Sequence, residues 1–235
     1  MTQILKMGAK NFIYIALLLG IFALTVVAEF RKKTGFFSNF KYFIPAMLFS
    51  AAIFVTWDLR FEQHSIWTFN SEFLLGINIL KLPIEEWLYF ILLSFLGVFL
   101  YEYAGRRFPD FERPGIFLAL SIVLLVFFGI LAYISRQKLY PFFTFFLLTV
   151  YLGYTIFRNR FKKHFTRFYI AYFILLVPFT IVSGIITALP VIEYNPVQFF
   201  GIRLFTIPVE NFAFLFLLLI INISIYEYLK ERRIY

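Results

Sequence analysis

The stretch LPIEEWLYFILLSFLGVFLYEY (82–103) opens on two adjacent acids, Glu85 and Glu86, and then runs apolar for long enough to cross a bilayer. It has a second copy. GINILKLPIEEW (76–87) aligns with GIRLFTIPVENF (201–212) at an offset of 125 residues, matching Gly76 to Gly201, Pro83 to Pro208 and Glu85 to Glu210. Without a gap, Tyr101-Glu102-Tyr103 then falls opposite Tyr226-Glu227-Tyr228. Single-letter matches arise by chance in apolar sequence, but G-I…P-x-E…Y-E-Y at fixed spacing does not.

Composition sets the class. The chain is 62% hydrophobic and 15% charged, with a mean hydropathy of +0.84, whereas soluble domains are roughly half apolar. It is an all-α integral membrane protein. No cysteine is present, which removes disulfides, thiolate nucleophiles and cysteine metal sites. The net charge of +9 comes from short basic clusters between apolar runs. Such clusters orient a membrane protein, and no nucleic-acid partner is expected.

Seven apolar segments have near-spanning length, at about 11–30, 42–57, 82–101, 115–134, 140–157, 168–189 and 206–229. Pro45 and Pro178 are expected to kink the second and sixth. The first is too long, and too poor in a small-residue cleavage site, to read as a signal peptide. Residues 1–104 (helices 1–3) and 140–235 (helices 5–7) form two repeat units, joined by helix 4 within 105–139. Three helices plus one connector return the chain to its starting side, so the units are parallel, related by an axis along the membrane normal. Of the 22 basic residues, 15 fall in one set of connections, including Lys33, Arg106, Arg107, Arg160 and Arg233. The other set includes Lys6, Lys10 and Arg203. The imbalance predicts a multi-pass cell-membrane protein with its N-terminus outside and its C-terminus in the cytoplasm.

In this topology helices 3 and 7 run in the same direction, each starting at a proline where a missing N–H does no harm. Glu85, Glu86, Glu210 and Asn211 then sit in first turns on one face. Helix 2 ends there with Trp57-Asp58, and helix 6 with Thr187 and Glu193-Tyr194-Asn195. Glutamate in a first turn is favoured by the helix dipole, by about 0.3–1 kcal/mol, and one copy alone would need no other reason. Two copies at spanning helices, joined by Asp58, point to one enclosed site or two equivalent ones, because acids there usually face a cavity or a partner. Glu102 and Glu227, at helical spacing from Arg106 and Lys230, read as ion-pairing groups.

No metal or cofactor is expected. His64 and His164 lie on opposite faces, and H-E-x-x-H, G-x-G-x-x-G and Walker patterns are all missing. Only Asp58 and Asp110 are aspartates, too few for the magnesium-binding motifs of membrane prenyltransferases. The apolar span of helix 7 has no lysine for a retinal Schiff base. A carboxyl group removed from water holds its proton more tightly, because burial disfavours the ionised form, and it can then act as an acid at neutral pH. Proton addition to an alkene makes a carbocation. Aromatic faces shelter such a charge by about 0.5–2 kcal/mol each, and the chain has 36 phenylalanines. Trp57, Trp67, Trp87 and Phe212 are the candidate shelters, although each tryptophan also suits an interfacial anchor.

WDLRFEQHSIWTFN (57–70), LGINILKLPIEEWLYF (75–90) and ITALPVIEYNPVQFFGIRLFTIPVENFAF (186–214) resemble the small, non-flavin membrane lycopene cyclases. These occur as two bacterial subunits, as one fused chain in other bacteria and archaea, and within a bifunctional fungal enzyme. The resemblance covers nearly the whole chain and fits the fused form; with the sequence ending at Tyr235, no phytoene synthase part of the fungal type is expected. It implies cyclisation of the acyclic ends of lycopene, usually to β-rings, giving γ- or β-carotene without redox change. The implied partners are lycopene or a related polyene from the bilayer, the lipid itself, and other enzymes of the carotenoid pathway. Glu85, Glu86 and Glu210 fall on the family's acidic motifs, Asp58 on its W-D, and Tyr194, Asn195 and Arg203 on its Y-N-P/G-I-R segment. Many relatives carry Asp where this chain has Asn211, which cannot act as an acid but can orient substrate. The expected donor is Glu85 or Glu210, with Glu86, Asp58 or Asn211 assisting proton loss.

Two readings remain open at this stage. One is the cyclase, and the other a transporter on the same parallel repeat, its acids coupling protons or cations to movement. Ring type, and whether one end or both react, are not legible.

Overall fold

A computed structural model describes residues 8–32, 36–158 and 161–232. Lys6, Lys33, Arg160 and Arg233, used in the charge count, lie outside the described residues. Seven helices are long and apolar enough to span a bilayer. They are α1 (Ile13–Lys32), α2 (Phe40–Gln63), α3 (Ile84–Arg107), α4 (Pro114–Ile134), α5 (Leu139–Phe157), α6 (Phe165–Ala188) and α7 (Val209–Glu231). Pro45 and Pro178 lie inside α2 and α6 without ending them.

Burial ranks the helices. In α3 and α7, 72% of the apolar window is buried, against 17% for the first span and 11% for α4. So α3 and α7 form the axis of the bundle, and α4 is a lipid-facing strut packed on α5. Exposed Ile116, Val123, Val126 and Phe127 on α4 cost nothing in hydrocarbon. The axis packs closely. A β-carbon on Gly97 would lie 2.4 Å from Leu219 Cδ1, so this glycine allows α3 to approach α7.

α2 runs longer than its apolar stretch of 42–57 suggests. The hydropathy falls at Asp58, but the helix continues to Gln63 because Asp58 points inward, 3% exposed. Hydropathy averages over all faces of a helix, whereas the buried face alone determines whether Asp58 can be accommodated.

The loops before α3 and α7 are built alike. β2 (Asn78–Ile79) pairs antiparallel with β3 (Leu82–Pro83), and β5 (Arg203–Leu204) with β6 (Ile207–Pro208). Gly76 and Gly201 lead into these hairpins with φ of 73° and 97°, in the left-handed region that a side chain resists. The Ile84 N–H donates to the Ile77 carbonyl at 2.9 Å, and the Val209 N–H to Ile202 at 3.1 Å. Each hairpin thus occupies a donor that the start of a helix would leave without a partner.

A third ribbon joins the halves. β1 (Trp67–Phe69) pairs antiparallel with β4 (Ile192–Tyr194), with Thr68 opposite Glu193 and Trp67 opposite Tyr194. Thr68 and Glu193 are themselves 125 residues apart. The ribbon is therefore symmetric about a local two-fold axis through that central pair.

Candidate functional site

The motif glutamates divide by position. Glu85 Oε1 accepts the Leu75 N–H at 2.7 Å, and Glu210 Oε1 accepts the Phe200 N–H in a short hydrogen bond. Leu75 and Phe200 each precede the left-handed glycine, so both carboxyl groups hold their hairpins against the start of the following helix. Both residues are fully buried, and the second oxygen of each has no hydrogen-bond partner among the described residues.

The next residue of each motif faces inward. Glu86 on α3 and Asn211 on α7 line a cavity of about 50 Å³ beside the ribbon. Asp58 from α2 and Ser183 from α6, again 125 apart, line it as well. So do Tyr14 and Tyr140, at the starts of α1 and α5. The Tyr14 hydroxyl donates to Glu86 Oε1 at 2.6 Å. The Tyr140 hydroxyl donates to Asn211 Oδ1 at 2.6 Å. One cavity is therefore framed by equivalent positions from both halves.

The two halves have become chemically different. The acids, Asp58 and Glu86, come from the first half, and the neutral counterparts, Ser183 and Asn211, from the second. Asp58 and Glu86 are each 3% exposed, and their carboxyl groups are hydrogen-bonding neighbours. No Lys or Arg is among the lining residues. Asn211 Nδ2 donates to the Tyr194 hydroxyl at 2.8 Å. Burial pushes the Tyr194 phenol well above its ordinary range, helped by the nearby Glu86 and Asp58 carboxyls, so it stays a neutral hydroxyl. Aromatic rings close the rest: Trp67 lies edge-on to Tyr140 at 5.2 Å, and Trp57 to Phe214 at 5.2 Å.

Of the residues singled out from sequence, Asp58, Glu86, Asn211, Trp67 and Tyr194 meet at this cavity. Trp57 backs it through Phe214. Glu85 and Glu210 lie behind it in the hairpin bases. Trp87 Nε1 donates to the Ile79 carbonyl at 3.3 Å, and Arg203 to the Thr206 carbonyl at 2.7 Å. Asn195 Nδ2 donates to the Ser65 carbonyl at 3.2 Å. These three brace the loops. Phe212 packs on Phe179 at 5.4 Å. Tyr14, Tyr140, Tyr89 and Ser183 were not anticipated. The first two sit 126 residues apart, one step off the motif offset, which hides them from a gapless alignment.

At the opposite ends of α3 and α7 the Y-E-Y segments cross. The Tyr226 hydroxyl donates to Glu102, which also pairs with Lys230 at 2.6 Å. Tyr101 bonds Glu227, and its hydroxyl lies 2.7 Å from His164 Nδ1. His164, Glu227 and Glu231 offer ligand atoms within 4.8 Å of one another, enough for a metal ion by distance. Each already has a partner, however: Glu231 pairs with Lys163 at 2.6 Å, and Glu227 lies 3.7 Å from Lys230. This cluster is an ion-pair network.

The fold is that of an integral membrane protein whose two halves enclose one buried acidic cavity among aromatic rings. A family model described as lycopene cyclase matches residues 11–104 and again 137–229, and the chain belongs to that family. It is thereby an enzyme of carotenoid biosynthesis acting on a polyene held in lipid. No curated protein and no solved structure matches the chain.

Proposed function

We propose that this protein closes the acyclic ends of lycopene into β-rings by proton transfer from the Asp58–Glu86 pair. The observation that carries the reading is the contact between those two buried carboxyl groups. Two buried carboxyl groups side by side, with no Lys or Arg among the lining residues, cannot both be ionised cheaply, so the pair retains a proton. That proton passes to the terminal isopropylidene double bond of the polyene. The tertiary cation is attacked by the neighbouring double bond, a carbon–carbon bond closes the ring, and a proton leaves the adjacent carbon. The carboxylate left behind can take it back, so the step needs no oxidant or reductant. Trp67, Tyr194 and Tyr140 line the cavity, where their ring faces can shelter the charge, and Asn211 holds the two tyrosines in place.

Glu86 and Asp58 are favoured over Glu85 and Glu210 as the acid, because the latter pair are engaged with backbone N–H groups behind the cavity. At about 50 Å³ the cavity has room for one or two waters, so a hydrocarbon end gains access only as side chains or helices yield. The same reading takes residues 1–104 and 140–235 as two copies of one unit around 105–139. The recurring hairpins and the Tyr14–Tyr140 pair support that division. The bias of basic residues supports a cell-membrane protein with a cytoplasmic C-terminus. Family membership speaks against the transporter.

The test is expression in a lycopene-accumulating bacterium with pigment analysis. The parent chain should yield cyclised carotenoid, lost in Glu86→Gln and retained in Glu85→Gln. Unchanged lycopene with the parent chain would remove the proposal.

A further inference from the structure

We propose that the polyene behind its reacting end lies in a seam between α1, α3 and α6, and that the equivalent seam of the other half is shut by Trp57 and Phe214. The substrate would then reach the carboxyl pair from one side only. The inference rests on the cyclisation reading and adds the binding path. A narrow void of about 10 Å³ is lined by Leu18, Ile21, Leu92, Leu93, Phe179 and Val182, and shares Tyr89 and Ser183 with the acid cavity. It has room for about one water molecule at most. It is an apolar seam of incomplete packing that continues from the acid cavity. On α3, Leu92 and Leu93 lie one turn beyond Tyr89. On α6, Phe179 lies one turn before Ser183, and on α1, Leu18 lies one turn beyond Tyr14. All three directions lead from the acids toward the middle of the bilayer. The lipid-side wall is α1, whose span is only 17% buried and so has little packing to lose by moving.

In the other half the same construction uses α5, α7 and α2. At the 125-residue offset the counterpart of Val182 is Trp57, that of Tyr89 is Phe214, and that of Phe179 is Phe54. These three rings pack on one another, with centroids 4.8 Å apart for Phe54–Phe214, 5.2 Å for Trp57–Phe214 and 5.8 Å for Phe54–Trp57. An indole therefore stands where the open seam has a valine. A two-ended polyene must then leave and return end for end, so a one-ringed product should appear before the two-ringed one.

The experiment has two arms. In lycopene-accumulating cells, Val182→Trp should lower cyclised pigment by about tenfold or more relative to the parent chain. Because Val182→Trp could disturb folding, the second arm keeps the native side-chain shapes. Leucines are replaced throughout by a diazirine analogue, the purified protein is irradiated with lycopene, and adducts are mapped. Labelling should reach Leu18 and should favour Leu92 and Leu93 over their counterparts Leu217 and Leu218. Equal or reversed labelling, or a Val182→Trp protein as active as its parent, overturns the path. A parent chain that leaves lycopene unchanged, yet is labelled at Leu92, would remove the reaction and keep the seam.

Discussion

The Tyr14 hydroxyl at the start of the first spanning helix donates a 2.6 Å hydrogen bond to the Glu86 carboxylate of the third. Both groups are shut away from water. One Glu86 oxygen is thereby occupied, which fixes the orientation of the carboxyl group toward Asp58. Tyr14 is a positioning residue in this arrangement. Tyr14→Phe keeps the ring and removes only the hydroxyl. Hydrogen bonds to charged groups contribute about 1.5–3 kcal/mol, so turnover should fall roughly tenfold to a hundredfold, with little change in apparent affinity for lycopene. Equal effects on turnover and affinity would mean that the tyrosine only supports packing.

Glu86→Gln and Asp58→Asn each break the carboxyl pair while keeping its shape. General acid catalysis is worth on the order of 100-fold or more. Cyclised pigment should drop by at least that factor, with membrane levels of the protein unchanged. Full activity in either variant would detach the pair from the chemistry.

Glu85 and Glu210 should behave differently, because each holds a backbone N–H. Glutamine offers the same acceptor oxygen, so Glu85→Gln and Glu210→Gln should remain active. Alanine leaves the Leu75 or Phe200 N–H without its partner, at a cost of about 1–3 kcal/mol. Glu85→Ala and Glu210→Ala should therefore lower the melting temperature in detergent. An inactive but fully stable Glu85→Gln would return the donor role to Glu85.

Gly97→Ala tests the close approach of the two axial helices. The new methyl would meet Leu219 at 2.4 Å, and Leu219 is itself only 2% exposed. Overpacking of this kind costs about 1–3 kcal/mol. The melting temperature should fall, whereas Gly20→Ala, with open space around its site, should leave it unchanged.

Much of this architecture was legible from residue order. Seven apolar runs marked the helices, and the G-I…P-x-E spacing marked the two hairpins, because glycine and proline there answer to backbone geometry. The level of the acids followed from the same alignment. Which carboxyl faces the cavity did not. Glu85 and Glu86 are neighbours in a first turn, and only the path of the hairpin decides that one meets a backbone N–H and the other a tyrosine. The Asp58–Ser183 equivalence was hidden because only one member is acidic. Tyr14 and Tyr140 escaped notice as two tyrosines among 15.

The ribbon through Thr68 and Glu193 makes each half the template for the other. Among the described residues neither strand has a hairpin partner in its own half, so severing the chain between α3 and α4 would leave two fragments, each with a bare edge of unpaired amides. Those edges complement one another. Co-produced fragments should therefore find each other and reassemble, while either one alone would be prone to pair with itself.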